Sequence, residues 1–188
     1  MHHQTDTLHE SEYFQIFPTC IGMYKLDGYH PAEEKKVKGL IEKDHPETKN
    51  FLDDNRLLIL KGHINDCIKA YSNEYGVDYY EIKDSWYVKV PNGQSVDPIA
   101  YPEETYIGYY FPNAHDQGSS LFLDSPYDTI YQVPKEKSVS VYTARNEKII
   151  IDKHRLVMTP AHLTRYFTKN VKEDMDMIVF NVKPWKNG

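Results

Sequence analysis

The chain has 188 residues, with 22 Lys and Arg against 28 Asp and Glu and a formal net charge of -6. That length suits one domain with a full core. The acidic balance argues against nucleic-acid binding, which needs clustered cations, and no apolar run approaches a membrane span. The polar start, MHHQTDTLHESEYFQ, has no apolar signal core, so synthesis in the cytoplasm is expected. The two cysteines, Cys20 and Cys67, form no CxxC pair and read as small buried hydrophobes. The 16 tyrosines suit strand faces and interfaces, because each joins an apolar body to a polar tip.

In chain order, residues 1–12 read as a polar arm and residues 13–188 as one domain. Residues 13–27 alternate as one or two strands, with Phe14, Ile16, Ile21, Met23 and Tyr24 as the apolar set. A helix is predicted over about 31–43. Pro31 suits its first turn, Glu33 and Glu34 favour its positive end, and Val37, Leu40 and Ile41 form a stripe. Lys35, Lys36 and Lys38 interleave with acids there, as on a solvated face. KDHPETKNFLDDN reads as loop. A second helix spans about 60–74, with Ile64, Cys67, Ile68 and Tyr71 at helical spacing and Gly76 placed to end it.

From about residue 79 to 182 the period changes to that of strands. Tyr79 to Val90 alternates, with Ile82, Trp86, Val88 and Val90 on one face. Further strands are predicted at 104–111, 119–124, 138–142, 147–151, 155–159, 162–168 and 175–182, separated by turn-rich segments such as PNG and PNAHDQG. Two helices followed by a run of short antiparallel strands is α+β, mainly β. The strand number and spacing suit a cupin-like jelly roll, a double-stranded β-helix with the two helices packed outside. The chain carries no G-x-S-x-G elbow, Walker loop, HExxH or GxGxxG.

Two stretches carry a resemblance. The first runs from Trp86 to Asp124 and includes Gly108-Tyr109-Tyr110 and the hairpin residues Gly118, Leu121, Phe122 and Asp124. The second runs from Arg155 to Val182 and includes Leu156 to Pro160 and the closing Phe180-Asn181. In order and spacing these resemble the Fe(II)/2-oxoglutarate dioxygenases of the short phage and bacterial prolyl-hydroxylase-like type. The resemblance implies a barrel whose iron is held by two His and one carboxylate, leaving positions open for 2-oxoglutarate and oxygen.

At the positions that match the family's working residues this chain departs from the pattern. The first ligand pair falls at Ile99 and Tyr101, the distal His at Arg165, and the arginine that grips 2-oxoglutarate at Met175. Isoleucine has no donor atom and a guanidinium has no lone pair to give. Asp97 and His162 are the substitutes within reach, with Asp97 two before Ile99 and His162 set on the opposite strand face from Arg165. His115, Asp116 and His154 sit at loops or strand ends, and His2, His3, His9, His30, His45 and His63 read as surface. A closed barrel mouth is expected, with Arg165 on the rim and Tyr101 filling the space.

Three functions follow. The first is a non-catalytic barrel used as a structural or binding module, needing no cofactor and assembling with itself or other proteins. The resemblance to the phage form extends this to a virion neck, tail or fibre-adaptor protein. The second is an active Fe(II)/2-oxoglutarate hydroxylase with relocated ligands. The third is a cupin-like binder of a small molecule at Tyr101 and Arg165.

Overall fold

Alternating apolar residues build two antiparallel sheets. The computed structural model describes residues 10–16, 19–26, 31–41, 50–74, 80–99, 105–113, 120–125, 146–168 and 174–184. The strands are β1 (Glu10–Ile16), β2 (Thr19–Lys25), β3 (Tyr80–Val90), β4 (Val96–Ile99), β5 (Tyr106–Phe111), β6 (Ser120–Asp124), β7 (Asn146–Ile150), β8 (Arg155–Pro160), β9 (Arg165–Phe167) and β10 (Met175–Pro184). The larger sheet has the order β1-β2-β8-β5-β10-β3 and the smaller β4-β9-β6-β7. Two helices, α1 (Pro31–Ile41) and α2 (Leu58–Glu74), lie between β2 and β3 in sequence. This is the α+β, mainly β jelly roll expected.

The larger sheet is buried on both faces. Ile107, Tyr109 and Phe111 of β5, Val157 of β8, and Met175, Met177 and Val179 of β10 meet Leu121, Leu123, Ile149 and Phe167 of the smaller sheet. That is the barrel interior. The alternate residues Tyr106, Tyr110, Leu156, Met158, Ile178 and Phe180 meet Val37 and Leu40 of α1 and Leu60, Ile64, Cys67, Ile68 and Tyr71 of α2. Strand alternation sends successive side chains into the two cores. Tyr109 and Tyr110 therefore serve different layers although they are neighbours.

The helix-facing surface has one row that sets how close the helices come. Across β2, β8, β5, β10 and β3 the register aligns Gly22, Met158, Gly108, Phe180 and Ser85, small and large in turn. The Phe180 ring lies over Gly108, where an added Cβ would sit 2.1 Å from Cζ. The Tyr71 ring of α2 lies over Gly22, with an added Cβ 2.7 Å from Cδ2, and its hydroxyl donates to Cys20 O at 2.8 Å. At the far end Ser85 Oγ accepts from Leu52 N at 2.9 Å. The sequence around Leu52 was expected to be loop. Phe51–Asp53 and Asn55–Leu57 are instead short 3-10 turns, and they bury Phe51, Leu52 and Leu57. Asp54 caps the second turn by accepting from Arg56 N at 2.8 Å. Hydrogen bonds from the Arg56 side chain and backbone hold the Asp54 carboxyl down at about 2. Burial pushes the Cys67 thiol up to about 12, so it stays protonated and inert at neutral pH.

Several expectations shift. β1 opens at Glu10, inside the segment read as arm. α2 begins at Leu58 rather than Leu60, with Leu58 and Ile59 exposed. Ile82 does not share the face of Trp86, Val88 and Val90. The β10–β3 register runs Asn181↔Asp84 and then Val182↔Ile82, so Lys83 is an extra residue. That bulge reverses the alternation, and Ile82 packs on the helix side. β4 had no expected place among the strands. β9 is shorter than the predicted 162–168, because residues 161–163 turn. The strand expected at 138–142, the loop residues His115, Asp116 and Gly118, and the His residues 2, 3, 9, 30 and 45 lie outside the described residues.

Gly108→Ala forces a methyl into the Phe180 ring. It should cost about 3 kcal/mol, the upper end of overpacking, which is roughly 6–12 °C in Tm for a chain of this length. Gly62 lies within α2 with nothing within 4 Å of an added Cβ, so Gly62→Ala should raise stability by about 0.5–1 kcal/mol. Thermal melts by circular dichroism check both signs.

Candidate functional site

The short strands β4 and β9 bring two of the expected positions together. Ile99 is the partner of Arg165 in the register, and Val96 is the partner of Phe167. Three residue steps on β4 therefore face two on β9, which is a bulge holding Asp97 and Pro98. The expectation that Asp97 faces as Ile99 does relied on unbroken alternation, which the bulge removes. Asp97 is exposed. His162 is not on a strand at all. It lies exposed in the turn between β8 and β9. Tyr101 falls outside the described residues.

Arg165 is not on a rim. Its side chain is 0% exposed, and it heads the largest fully buried side chains. Nη1 donates to Thr159 Oγ1 at 3.2 Å and Nη2 to Ala161 O at 2.5 Å, while the guanidinium carbon lies 5.8 Å from the Tyr109 ring centroid. These bonds tie the start of β9 back to the end of β8 and across the intervening turn. The planar guanidinium suits this, because it presents several donors in a fixed fork. Thr159 was not singled out from sequence. Its signal was a hydroxyl at an interior position of the otherwise apolar run LVMTP.

Met175 is buried among the interior residues of the barrel. A thioether carries no charge and cannot grip a carboxylate as an arginine fork does. Further along the same interior face is Asn181, 7% exposed, whose Oδ1 has no hydrogen-bond partner. Its partner on β3 is Asp84.

Among the described residues, those at the positions that the resemblance assigns do not fit an Fe(II)/2-oxoglutarate centre. At the positions that the resemblance assigns, Ile99 offers no donor atom, Met175 offers no cation for 2-oxoglutarate, and Arg165 offers a fixed positive charge. A dication ~5 Å from a guanidinium is repelled by roughly 6–7 kcal/mol at an effective dielectric of about 20. Among the described residues, no group of three or more His, Cys, Asp or Glu could hold a metal ion.

A second polar cluster sits at the start of β10, at the other end of that strand. Tyr87 OH donates to Asp176 Oδ1, Asn113 Nδ2 donates to Asp176 Oδ2 at 2.5 Å, and Asp176 N donates to Asn113 Oδ1 at 2.9 Å. Burial raises the Asp176 carboxyl above its usual range despite these donors. Burial, with the neighbouring carboxylate, raises the Tyr87 hydroxyl. The cluster ties Tyr87 of β3 and Asp176 of β10 to Asn113, just past β5.

No family model matches the chain, and no curated protein does. Solved structures do. The iron-bound HygX from Streptomyces hygroscopicus aligns with 88% of this chain and 82% of its own, at TM-score 0.59 and 9% identity. A prolyl-4-hydroxylase from Pseudomonas putida aligns over 84% and 82%, at TM-score 0.54 and 8% identity. The nickel complex of ThoJ, a non-heme monooxygenase, aligns over 81% and 66%, at TM-score 0.54 and 6% identity. Against a 2OG-Fe(II) oxygenase-family protein from Burkholderia pseudomallei the chain spans 55% of that protein's length at TM-score 0.48, too little likeness to argue from. At these identities the likeness is one of fold: the chain has the barrel of the 2OG-Fe(II) oxygenases.

The β4–β9 register makes a test of the slots themselves. Directly opposite residues of an antiparallel pair share a face. The double substitution Ile99→His and Arg165→His should therefore create a chelating pair where the parent has none. We expect Ni(II) or Zn(II) binding with a Kd of about 10 μM or tighter, read by isothermal titration calorimetry. Each single variant should bind no better than the parent.

Proposed function

We propose that this chain is an oxygenase-fold barrel that works without iron, as a structural or binding module rather than as an oxygenase. The observation that carries the reading is Arg165. At the position where the resemblance places the distal His, a permanent cation is fully buried and spent on Thr159 and Ala161. A buried charge held in this way is costly to disturb, so the side chain is a fixed part of the core and not a loose tenant of a metal pocket. Met175, packed into the apolar interior, fits the same reading.

The partners that suit such a barrel are proteins. The tyrosine content and the two sheets support assembly with further copies or with other proteins, and the resemblance to the phage form supports a place in a tailed-phage virion. One barrel fold hosts many activities, so this part of the proposal rests on the module reading and not on the fold. The competing reading is an oxygenase with relocated ligands. The iron-bound and the nickel- and 2-oxoglutarate-bound forms of HygX favour it by fold. The exposure of Asp97 and His162 and the bulge at Asp97 weigh against it.

Anaerobic Fe(II) titration with 2-oxoglutarate separates the two. The module reading expects no stoichiometric metal binding, no succinate on admission of oxygen, and a Tm unchanged by a chelator. Tight binding at one iron per chain with succinate formation would overturn it. Loss of that binding in Asp97→Ala or His162→Ala would then locate the ligands. Light scattering on the same protein should show an assembly larger than one chain.

A further inference from the structure

One end of the barrel interior sets the buried carboxamide of Asn181 opposite the carboxylate of Asp84. The residues on this face of β10 run Met175, Met177, Val179, Asn181 and Lys183, the first three apolar and buried and Lys183 part-exposed at the strand's end. Asn181 breaks the series. It faces the fully buried Ile107 on one neighbouring strand and Asp84 on the other. Its Oδ1 is buried without a partner, an arrangement that protein interiors avoid because a lone buried acceptor loses its water for nothing. The Asp84 carboxylate is half-buried, and among the described residues it too has no hydrogen-bond or ion-pair partner.

The register fixes how these groups stand to one another. Directly opposite residues on antiparallel strands share a face, with Cβ atoms about 5 Å apart, so the Asp84 carboxylate and the Asn181 carboxamide are neighbours on that face. Two residues on from Asp84, on the same face, Trp86 packs against the interior core. The bulge at Lys83 comes immediately before Asp84, and the same face of β3 continues beyond it with Glu81, which is paired with Lys183. The Arg165 guanidinium is on the far side of the row. It bonds Thr159, which is separated from Asn181 by the intervening strand β5, a span of two strand spacings or about 10 Å.

A carboxylate, a buried neutral acceptor and an aromatic wall select one kind of ligand. Two acceptors ask for a group that donates more than once. The carboxylate asks for positive charge, and an indole face welcomes it. We propose that this end of the barrel binds the primary ammonium group of a small amine, with Asp84 as counter-ion, Asn181 Oδ1 as the buried acceptor and Trp86 as the flanking wall. The net charge of -6 draws cations towards the protein as a whole. The site requires no metal and makes no demand on the fate of Arg165. It therefore stands or falls apart from the question of catalysis.

The test uses n-butylamine and n-butanol as probes, matched in size and differing in the head group, at constant ionic strength. A ligand that binds only the folded state raises Tm in a saturable way. The parent should show that rise with butylamine and not with butanol. Asp84→Asn keeps the shape and removes the charge at a half-exposed position, so it should fold and weaken apparent affinity about tenfold or more. Asn181→Leu should abolish the response, and its ligand-free Tm should rise above the parent's because the orphaned acceptor is gone. Absence of a saturable shift with butylamine, an equal shift with butanol, or an undiminished response in Asp84→Asn would each overturn the proposal.

Discussion

The approach of Phe180 to Gly108 governs the architecture. An aromatic ring lies flat over a strand only where the strand beneath it carries no side chain, and Gly108 supplies that gap. Gly22 repeats the device for Tyr71, two strands away. Between and beyond them Met158 and Ser85 complete a row that is low, high, low, high and low. The helices rest on that relief, and hydrogen bonds from Tyr71 of α2 and from Leu52 in the 3-10 turn before it fasten this layer to the sheet at its two sides. Because the sheet is thereby covered on its outer face, its inner face is free to form a second, separate core against the smaller sheet.

This accounts for what could be read from the sequence. The residues that carried the resemblance, Gly108, Phe180, Leu156 to Pro160 and Leu121 to Asp124, belong to packing. Their order follows from the period of two and from the small-to-large matching across strands, so the fold and the outer helices were legible. Boundaries were less so. Residues 162–168 read as strand in sequence, yet Pro160 closes β8 and the chain must turn through 161–163 before β9 can pair with β4 and β6. Phe51 and Leu52 sat among charges that disguised them as loop, although their burial is needed to cover Ser85 and Tyr87.

The site was only half legible. That Ile99 and Arg165 stand opposite one another follows from strand pairing; the sequence placed Arg165 in a strand but predicted none around Ile99. The burial of Arg165 did not follow. A cation is usually assigned to the surface because its desolvation is expensive. Here Thr159 and the Ala161 carbonyl accept from it inside the barrel. Neither acceptor announces itself in sequence: one is a single hydroxyl in an apolar strand, the other is backbone. Asn181 and Asp84 were invisible for a related reason. Their pairing depends on where the β3 bulge falls, and one extra residue in a strand has no compositional signature.

That extra residue also sets how the strand can change length. Lys83 faces no partner in β10, while Asp84 and Ile82 on its two sides are each already paired. Removing Lys83 would leave a regular strand with Ile82 still on the helix side and Asp84 still inward. Removing any residue from Ser85 to Val90 would instead exchange the two cores along part of β3, since a shift of one place turns every side chain over. β3 thus carries a built-in slack of one residue at Lys83, and loss of one residue there is absorbed without reaching either the helices or the barrel.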